Sequence, residues 1–276
     1  MTAHDPRSGA APGLDTTSDP NFVAYYEQAS LSEATKARFE TVRDKVLALI
    51  EKSGRRAAGL RVADIGCGAG TQATMWAELG HEVFGLDLNE ALVAIGARRA
   101  AERGLAVRFD VGSATALPYG EASMDVCLVP ELLEHVPDWE SCLREAARVL
   151  KPCGVLYLST TNVLCPIQQE FDLPLYSWYP APLKRRYERL AVTSRPELVN
   201  HARYPAVHWF SFYGLRGYLA GLGFESLDRF DMIDPSGRGV PARLALAAVQ
   251  RIGPLRLLGH VLTPYTVVFA IRRRGG

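Results

Sequence analysis

A short apolar strand that runs into three alternating glycines constrains this chain more than any other feature. The stretch from Val62 to Gly70 reads VADIGCGAG, with glycine at positions 66, 68 and 70. Glycine lets a backbone turn sharply and lets a ligand approach bare peptide, and a helix predicted directly afterwards offers unpaired N–H groups in its first turn. The pattern therefore predicts a nucleotide-type binding site at the carboxyl end of the first strand of an α/β sheet.

The spacing of the glycines separates two classes of such sites. Dinucleotide-binding proteins use G-x-G-x-x-G, whereas here the place of the last glycine is taken by Thr71 and the pattern is G-x-G-x-G. About 20 residues after the glycine turn, as expected of a ribose-binding acid, the second predicted strand ends in Asp87. A carboxylate there accepts both ribose hydroxyls; the alternative is an aspartate that only caps the next helix.

The rest of the chain alternates strands and helices, which predicts a parallel, doubly wound sheet. Strands are predicted at 61–66, 81–87, 106–112, 124–130, 154–160, 224–233 and 265–272, and helices at 22–51, 70–79, 90–103, 139–150, 213–222 and 241–262. With 276 residues, the chain has room for one domain. We expect a disordered leader at 1–20 and a single domain at 21–276, with an N-terminal cap helix within 21–52 and an insertion at 163–212, where the pattern lapses.

Composition excludes some classes of function. A net charge of +1 gives no electrostatic footprint for nucleic acid. The five cysteines form no C-x-x-C pair and are expected to be reduced thiols of a cytoplasmic protein.

Five motifs occur in order between residues 61 and 162. They are the glycine turn preceded by Asp64, GSATALPY at 112–119, EHVPD at 134–138, RVLKPCGVL at 148–156 and LSTTN at 158–162. Together they resemble the class I S-adenosylmethionine (SAM)-dependent methyltransferases, of the type 11 and quinone-biosynthesis O-methyltransferase kind. The resemblance implies a Rossmann-like, seven-stranded, mostly parallel sheet with an antiparallel last strand. It also implies SAM as cofactor, contacted by Asp64, Gly66, Gly68, Gly70, Asp87, Leu88, Ser113, Ala114 and Pro130.

The sequence departs from the family pattern at three positions, at one of which Thr161 stands where Pro is usual. Ser113 stands where Asp is common, and a hydroxyl is a weaker acceptor for the adenine amino group than a carboxylate. Cys153 replaces a common glycine, which predicts a turn without positive φ.

Three chemical side chains follow the fourth strand. Glu131, Glu134 and His135 are spaced i, i+3 and i+4, so a helical turn would place them on one face. Similar strings occur in O-methyltransferases, some of which use a divalent ion, and these three residues are weak candidates for a metal site. The alternatives are structural capping and a role for His135 in catalysis, as a base or in positioning the acceptor. We favour catalytic His135 without metal, because an imidazole titrates near neutrality.

Substrate choice is assigned to the 163–212 insertion, the lid segment, which in this fold covers the active site. Its aromatic residues suit a ring, a sugar face or a lipid chain, or else they form the core of the lid segment itself. The expected substrate contacts are Tyr26, Glu131, Asn162 and Trp209. Arg38 and Arg43 are candidates to reach the carboxylate of SAM, and the spacing does not select between them.

The stretch 242–262 is apolar and dotted with arginine. The favoured interpretation is a crossover that covers the sheet, and the other is a segment that lies on a membrane surface. The expected function is SAM-dependent O-methylation of a small or lipid-linked hydroxylated acceptor, with at most peripheral membrane contact and no nucleic-acid partner. The alternatives are C- or N-methylation and a non-catalytic SAM-binding protein.

Overall fold

The computed structural model describes residues 20–168, 170–199 and 206–274. Its strands are β1 (Arg61–Ile65), β2 (Glu82–Asp87), β3 (Val107–Val111), β4 (Met124–Pro130), β5 (Leu150–Thr161), β6 (Phe224–Asp228) and β7 (Tyr265–Arg272). Its α-helices are α1 (Pro20–Ala29), α2 (Glu33–Lys52), α3 (Thr71–Ala77), α4 (Glu90–Glu102), α5 (Trp139–Val149), α6 (Ala181–Thr193), α7 (Phe212–Gly221), α8 (Val240–Arg251) and α9 (Gly253–Val261). Of the predicted leader, residues 1–19 lie outside the described part.

All seven strands form one sheet in the order β3-β2-β1-β4-β5-β7-β6. Strands β1 to β5 are parallel, and β7 runs antiparallel between β5 and β6. The predicted seven-stranded sheet with an antiparallel last strand is confirmed. The strand order reverses between β1 and β4, and ligands of open α/β sheets bind at the carboxyl ends of the strands at such a reversal.

Helices cover both faces of the sheet, because alternate side chains of each central strand point to opposite faces. In β4, Cys127 and Val129 are fully buried in one apolar core with residues of α5 and α7. Val126 and Leu128 are fully buried in the other core with residues of α2 and α3. Strands that are buried on both faces are continuous apolar runs. Strand β4, which leads directly to Glu131 and His135, is therefore held firmly in the sheet.

Two element boundaries differ from the prediction for local reasons. The expected single helix at 22–51 is two helices, because Ser32 caps α2 by accepting the N–H of Thr35 at 3.2 Å. The expected long strand at 224–233 ends at Asp228. The carboxylate of Asp228 accepts the backbone N–H groups of Phe230 and Asp231, at 2.8 and 3.1 Å, and this turns the chain.

The expectation for Cys153 is wrong, since its φ is 61°. The register between β4 and β5 shifts here, from the pair Met124–Leu150 to the pair Val126–Val155, so β5 bulges at this point. Arg55 donates to the carbonyl of Cys153 at 2.9 Å. The bulge, supported by this long-range contact, imposes the left-handed conformation on a non-glycine residue.

The favoured interpretation of 242–262 is wrong for α8, which contains no buried residue. In α9, His260 alone is buried. The segment therefore covers little of the sheet and presents most of its surface to solvent. Within the described residues, none of the helices combines the length and apolarity that crossing a bilayer requires.

Candidate active site

The loop after β1 turns through three glycines with positive φ. Gly66, Gly68 and Gly70 have φ values of 76°, 50° and 74°, a region that residues with a side chain rarely adopt. A Cβ on Gly70 would lie 2.7 Å from the ring of Phe109, so glycine is needed for the loop to pack against β3. A Cβ on Gly68 would meet nothing within 4 Å, which leaves the middle of the loop open to a ligand.

Asp64 lies beneath this loop with half of its carboxylate unpaired. Its Oδ1 accepts the Nε2 amide of Gln72 at 3.0 Å, whereas Oδ2 is buried and has no partner among the described residues. The side chain is 1% exposed, and this burial raises the pKa of Asp64 to about 7. An unpaired buried oxygen is unfavourable, so a donor or cation that reached Asp64 would be bound strongly.

Asp87 supports the same loop from the end of β2. Its Oδ2 accepts the N–H of Gly68 and its Oδ1 accepts the N–H of Asn89, both at 2.8 Å. Burial raises the pKa of Asp87 as well. An ionised carboxylate has about four acceptor positions, so these two bonds leave capacity for the hydroxyls of a ribose. The helix cap is Asn89, which accepts the N–H of Leu92 at 3.1 Å.

The expected adenine-side residues lie around Asp87. Leu88 is exposed beside it, and the N–H of Gly112 donates to the carbonyl of Asp87 at 2.9 Å, which brings the turn after β3 alongside. In that turn Ala114 is buried, and the hydroxyl of Ser113 accepts the N–H of Thr115 at 3.2 Å. The hydroxyl of Ser113 thus already serves its own turn, which reduces its capacity as a ligand for adenine.

Helix α1 packs over the glycine loop. Tyr26 contacts a small cluster formed by Ala69 of the loop and by Leu92 and Ile95 of α4. Arg99 of α4 donates to the carbonyl of Glu27 at 2.9 Å and ties the two helices together. The structure therefore places Tyr26 beside the glycine loop, and its expected contact with the acceptor stays a prediction.

The turn after β4 does not bring Glu131, Glu134 and His135 onto one helical face. Glu131 has a φ of 48° and precedes a 3₁₀ turn at Leu133–His135, and its carboxylate pairs with Arg38 of α2. The carboxyl of Glu134 points inward and accepts the hydroxyl of Thr160 of β5 at 2.7 Å. The helical geometry expected for a metal site is therefore wrong. Among the residues that the structure describes, no group of three or more His, Cys, Asp or Glu could hold a metal ion.

Burial sets the protonation of this turn. It raises the pKa of Glu134 to about 8 and lowers the pKa of His135 to about 4. Near pH 7 the imidazole is therefore neutral and the buried carboxyl is mostly protonated. The expectation that His135 titrates near neutrality is wrong, because desolvation disfavours the imidazolium. The imidazole retains an acceptor nitrogen at physiological pH.

Part of this chain is similar to known methyltransferases. Residues 63–158 match a family described as a methyltransferase domain. The ubiquinone biosynthesis O-methyltransferase of Caulobacter vibrioides is 35% identical over 138 residues, which are 49% of this chain and 55% of that protein. The enzyme of the same name from Xanthomonas axonopodis pv. citri is 42% identical over 106 residues, 38% of this chain and 44% of that protein. The chain thus spans about half the length of the curated relatives it matches.

Among solved structures, the PH0226 protein from Pyrococcus horikoshii has the same fold. The TM-score is 0.54 at 18% identity, over 91% of this chain and 99% of that chain. The matched part of the chain, residues 63–158, is thus similar to a methyltransferase domain, and the fold of that solved structure is shared.

The lid segment of this chain has a core of its own. Phe171, Tyr176, Ala191 and Leu198 are buried together, and the rings of Phe171 and Tyr176 stack at 3.9 Å. Trp209 packs edge-on to Tyr176 at 5.6 Å. Trp209 and several of the other aromatic residues thus stabilise the lid segment, as one of the two interpretations expected.

The lid segment is fastened to the turn after β4 and to the end of β5. The carbonyl of Glu134 accepts the N–H groups of Val207 and His208, at 3.0 and 3.2 Å, and the hydroxyl of Thr161 donates to the carbonyl of His208 at 2.9 Å. The amide of Asn162 donates to the carbonyls of His260 and Thr263, at 2.8 and 2.7 Å. Because both amide hydrogens are used, the expected substrate contact of Asn162 is wrong, and this side chain joins β5 to the end of α9.

Two polar residues near Glu131 were not expected from the sequence. Glu170 of the lid segment is near Glu131, and burial raises its pKa. Tyr265 at the start of β7 is near Glu131 and Glu170, and burial raises its pKa to about 12. No periodic pattern marks either residue, because strand pairing and lid folding bring them to this edge. Of the two arginines considered, Arg38 faces the site through Glu131, whereas Arg43 pairs with Asp44.

Proposed function

We propose that this chain transfers a methyl group from SAM to a hydroxyl of a small or lipid-linked acceptor in the cytoplasm. The observation that carries the proposal is the unpaired, buried oxygen of Asp64 beneath the open glycine loop. It lies at the point where the strand order reverses, with Asp87 on one side and the His135 turn on the other.

The residues present fit SAM, which carries an ammonium, a ribose and a sulfonium but no phosphate. The Asp64 carboxylate is suited to the ammonium, directly or through a donor that bridges them. Gly66, Gly68 and Gly70 give room for the methionine arm. Asp87 retains acceptor capacity for the ribose hydroxyls, with Leu88 and Ala114 beside the adenine. When bound, SAM supplies an electrophilic methyl group.

On the acceptor side, the residues around the turn after β4 need only position an oxygen and exclude water. The lid segment, fastened to Glu134 and Thr161, covers this edge. Holding the acceptor oxygen about 3–3.5 Å from the methyl carbon supplies a large part of the rate. The neutral imidazole of His135 accepts the proton that the acceptor hydroxyl releases.

A hydroxylated ring is the acceptor class that we favour. Two of the relatives are named as ubiquinone biosynthesis O-methyltransferases, and a phenolic hydroxyl ionises more readily than an aliphatic one. A weak base such as His135 is then sufficient.

Calorimetry tests the cofactor first. We expect the purified chain to bind S-adenosylhomocysteine and to give no heat with NAD. The variant Asp64→Asn should bind S-adenosylhomocysteine more weakly than the wild type. A methylation assay with SAM and a simple catechol then tests the acceptor class. Binding of NAD without response to S-adenosylhomocysteine would overturn the proposal, whereas cofactor binding with methylation of an amine or a carbon would replace only its acceptor part.

A further inference from the structure

The α8–α9 hairpin exposes an unusual amount of apolar surface. Seven of the fifteen exposed large hydrophobic side chains of the described residues lie in this stretch of 23 residues: Val240, Leu244, Ile252, Leu255, Leu257, Leu258 and Leu262. Leu255, Leu258 and Leu262 are spaced i, i+3 and i+7, which places them on one face of α9, and they are 39%, 52% and 71% exposed. Exposed apolar groups in such a cluster indicate a contact surface.

The charge of the same segment has one sign. From Val240 to Leu262 the sequence contains three arginines and no aspartate or glutamate. Arg243 and Arg251 on α8 are exposed, and the structure records no carboxylate bonded to either within its described residues. Arg256 is the exception, because it pairs with Asp228 and Asp231 and anchors α9 to the sheet.

We propose that the α8–α9 hairpin docks on the surface of an anionic lipid bilayer. A pair of helices with exposed leucines on one face of α9 and two unpaired arginines on α8 combines the apolar and basic groups that hold amphipathic helices in the membrane interface, and each basic residue near an anionic surface adds to the attraction. A second copy of the chain is a poorer occupant, because two such surfaces would bring like charges together.

Side-chain hydrogen bonds attach the hairpin to the sheet, close to the candidate active site. His260 donates its Nε2–H to the carboxylate of Asp228 at 2.9 Å, and Arg256 donates to it at 2.7 Å. The two amide bonds of Asn162 hold the end of α9 against the carboxyl end of β5. A docked hairpin therefore brings the carboxyl end of β5, where the acceptor is proposed to bind, to the bilayer surface. Delivery of a lipid-linked acceptor rests on the proposed function, but docking itself does not.

Vesicle co-sedimentation of the full chain tests the proposal. We expect binding to vesicles of phosphatidylcholine with 30% phosphatidylglycerol that is at least about tenfold tighter than to phosphatidylcholine alone, and that weakens with added salt. The variant Arg243→Gln/Arg251→Gln should lose about tenfold or more of this binding. The variant Leu255→Gln/Leu258→Gln/Leu262→Gln should lose binding to a similar degree.

Matched controls change the same chemistry elsewhere. Leu31→Gln/Leu79→Gln removes two exposed leucines from other surfaces, and Arg185→Gln/Arg186→Gln removes two charges from α6. Both should bind vesicles as the wild type does. Affinity for S-adenosylhomocysteine, measured on every preparation, should be unchanged, which separates docking from cofactor binding.

Three outcomes would overturn the proposal. One is equal binding to neutral and anionic vesicles, and another is an α8–α9 variant that still binds like wild type. The third is a dimer, seen by sedimentation velocity, that the leucine variant alone disrupts, since this would assign the surface to a second copy. Failure of S-adenosylhomocysteine to bind would count against the proposed function and not against docking.

Discussion

The carboxylate of Asp87 shapes the glycine loop and is also the expected acceptor for ribose. In Asp87→Ala the N–H groups of Gly68 and Asn89 lose their partner, so we expect a lower melting temperature. Affinity for S-adenosylhomocysteine should fall by about 10- to 100-fold, the scale of hydrogen bonds to a charged group. Calorimetry and a thermal scan measure the two effects.

The control for Asp87 is Asp110→Ala, which removes a carboxylate from β3 that pairs with Arg108. Its affinity for the same ligand should stay unchanged. If Asp87→Ala bound the ligand as well as wild type, the ribose would have to be held elsewhere.

The low pKa of His135 changes the pH profile to expect from a catalytic imidazole. With a pKa of about 4, the ring is neutral from pH 6 to pH 8, so His135 should add no pH dependence to kcat in that range. The contribution of His135 to kcat should decline only below about pH 5. We expect His135→Ala to lower kcat by about 10²–10⁴ while affinity for S-adenosylhomocysteine stays unchanged.

A catechol methylation assay from pH 5 to 8 checks this, with His208→Ala as a control on the neighbouring lid segment. If His135→Ala kept full activity, positioning of the acceptor by the lid segment would be the mechanism. The turn after β4 would then have a structural role only. Rescue of activity by His135→Gln would assign positioning of the acceptor, and not proton transfer, to this side chain.

At the scale of elements, the loop between β1 and α3 combines an unusual φ with close packing. Gly70→Ala would strain a φ of 74° and place a methyl group 2.7 Å from the ring of Phe109. The left-handed conformation costs about 1–2 kcal/mol and overpacking about 1–3 kcal/mol more. We expect destabilisation by about 2–5 kcal/mol in urea unfolding and loss of cofactor binding.

Gly80→Ala separates the two effects. Gly80 has a φ of 79°, and a Cβ there would meet nothing within 4 Å. This variant should show the conformational part alone and bind S-adenosylhomocysteine normally. Equal destabilisation by both variants would contradict a packing role for Gly70.

The sequence predicts the type and order of the elements well because hydrophobic periodicity decides them. The five parallel strands and the glycine turn follow from patterns within about ten residues. The predicted boundaries of elements are wrong where a single side chain starts or ends the element, as Ser32 does for α2 and Asp228 for β6. The prediction for the conformation of Cys153 is wrong because Arg55, a partner 98 residues away, supports that conformation.

Prediction of the candidate site divides along the same line. The motif residues Asp64 and Asp87 meet at one loop, since the carboxyl ends of neighbouring parallel strands lie together. The engagement of Asn162 with α9 and of Glu134 with Thr160 could not be predicted. Both depend on which segments pack over the sheet edge, and no local pattern records that.

At the scale of the whole molecule, two buried carboxyls couple stability to pH. Burial raises the pKa of Asp64 to about 7 and that of Glu134 to about 8, from ordinary values of 3.8 and 4.5. Between about pH 4 and pH 8 these two groups bind more protons in the folded state than in the unfolded state. Their contribution to the free energy of unfolding falls as pH rises through this window, because the unfolded chain ionises them more easily, whereas His135, whose pKa burial lowers to about 4, has the opposite effect in the acid part of the window.

Asp64→Asn tests this coupling, because the amide has the shape of the carboxyl and no charge. We expect the ligand-free variant to melt at the same temperature as wild type near pH 4 and at a higher temperature at pH 8. The gain in the free energy of unfolding at pH 8 should be about 2–4 kcal/mol. Urea unfolding at both pH values measures this gain, and Asp110→Asn on β3 serves as control.

The variant Asp64→Asn should also bind S-adenosylhomocysteine more weakly, because it lacks the charge that faces the ammonium. A variant that is less stable than wild type at pH 8 would mean that the unpaired oxygen of Asp64 is stabilised by the fold itself and is not held in reserve for a cation.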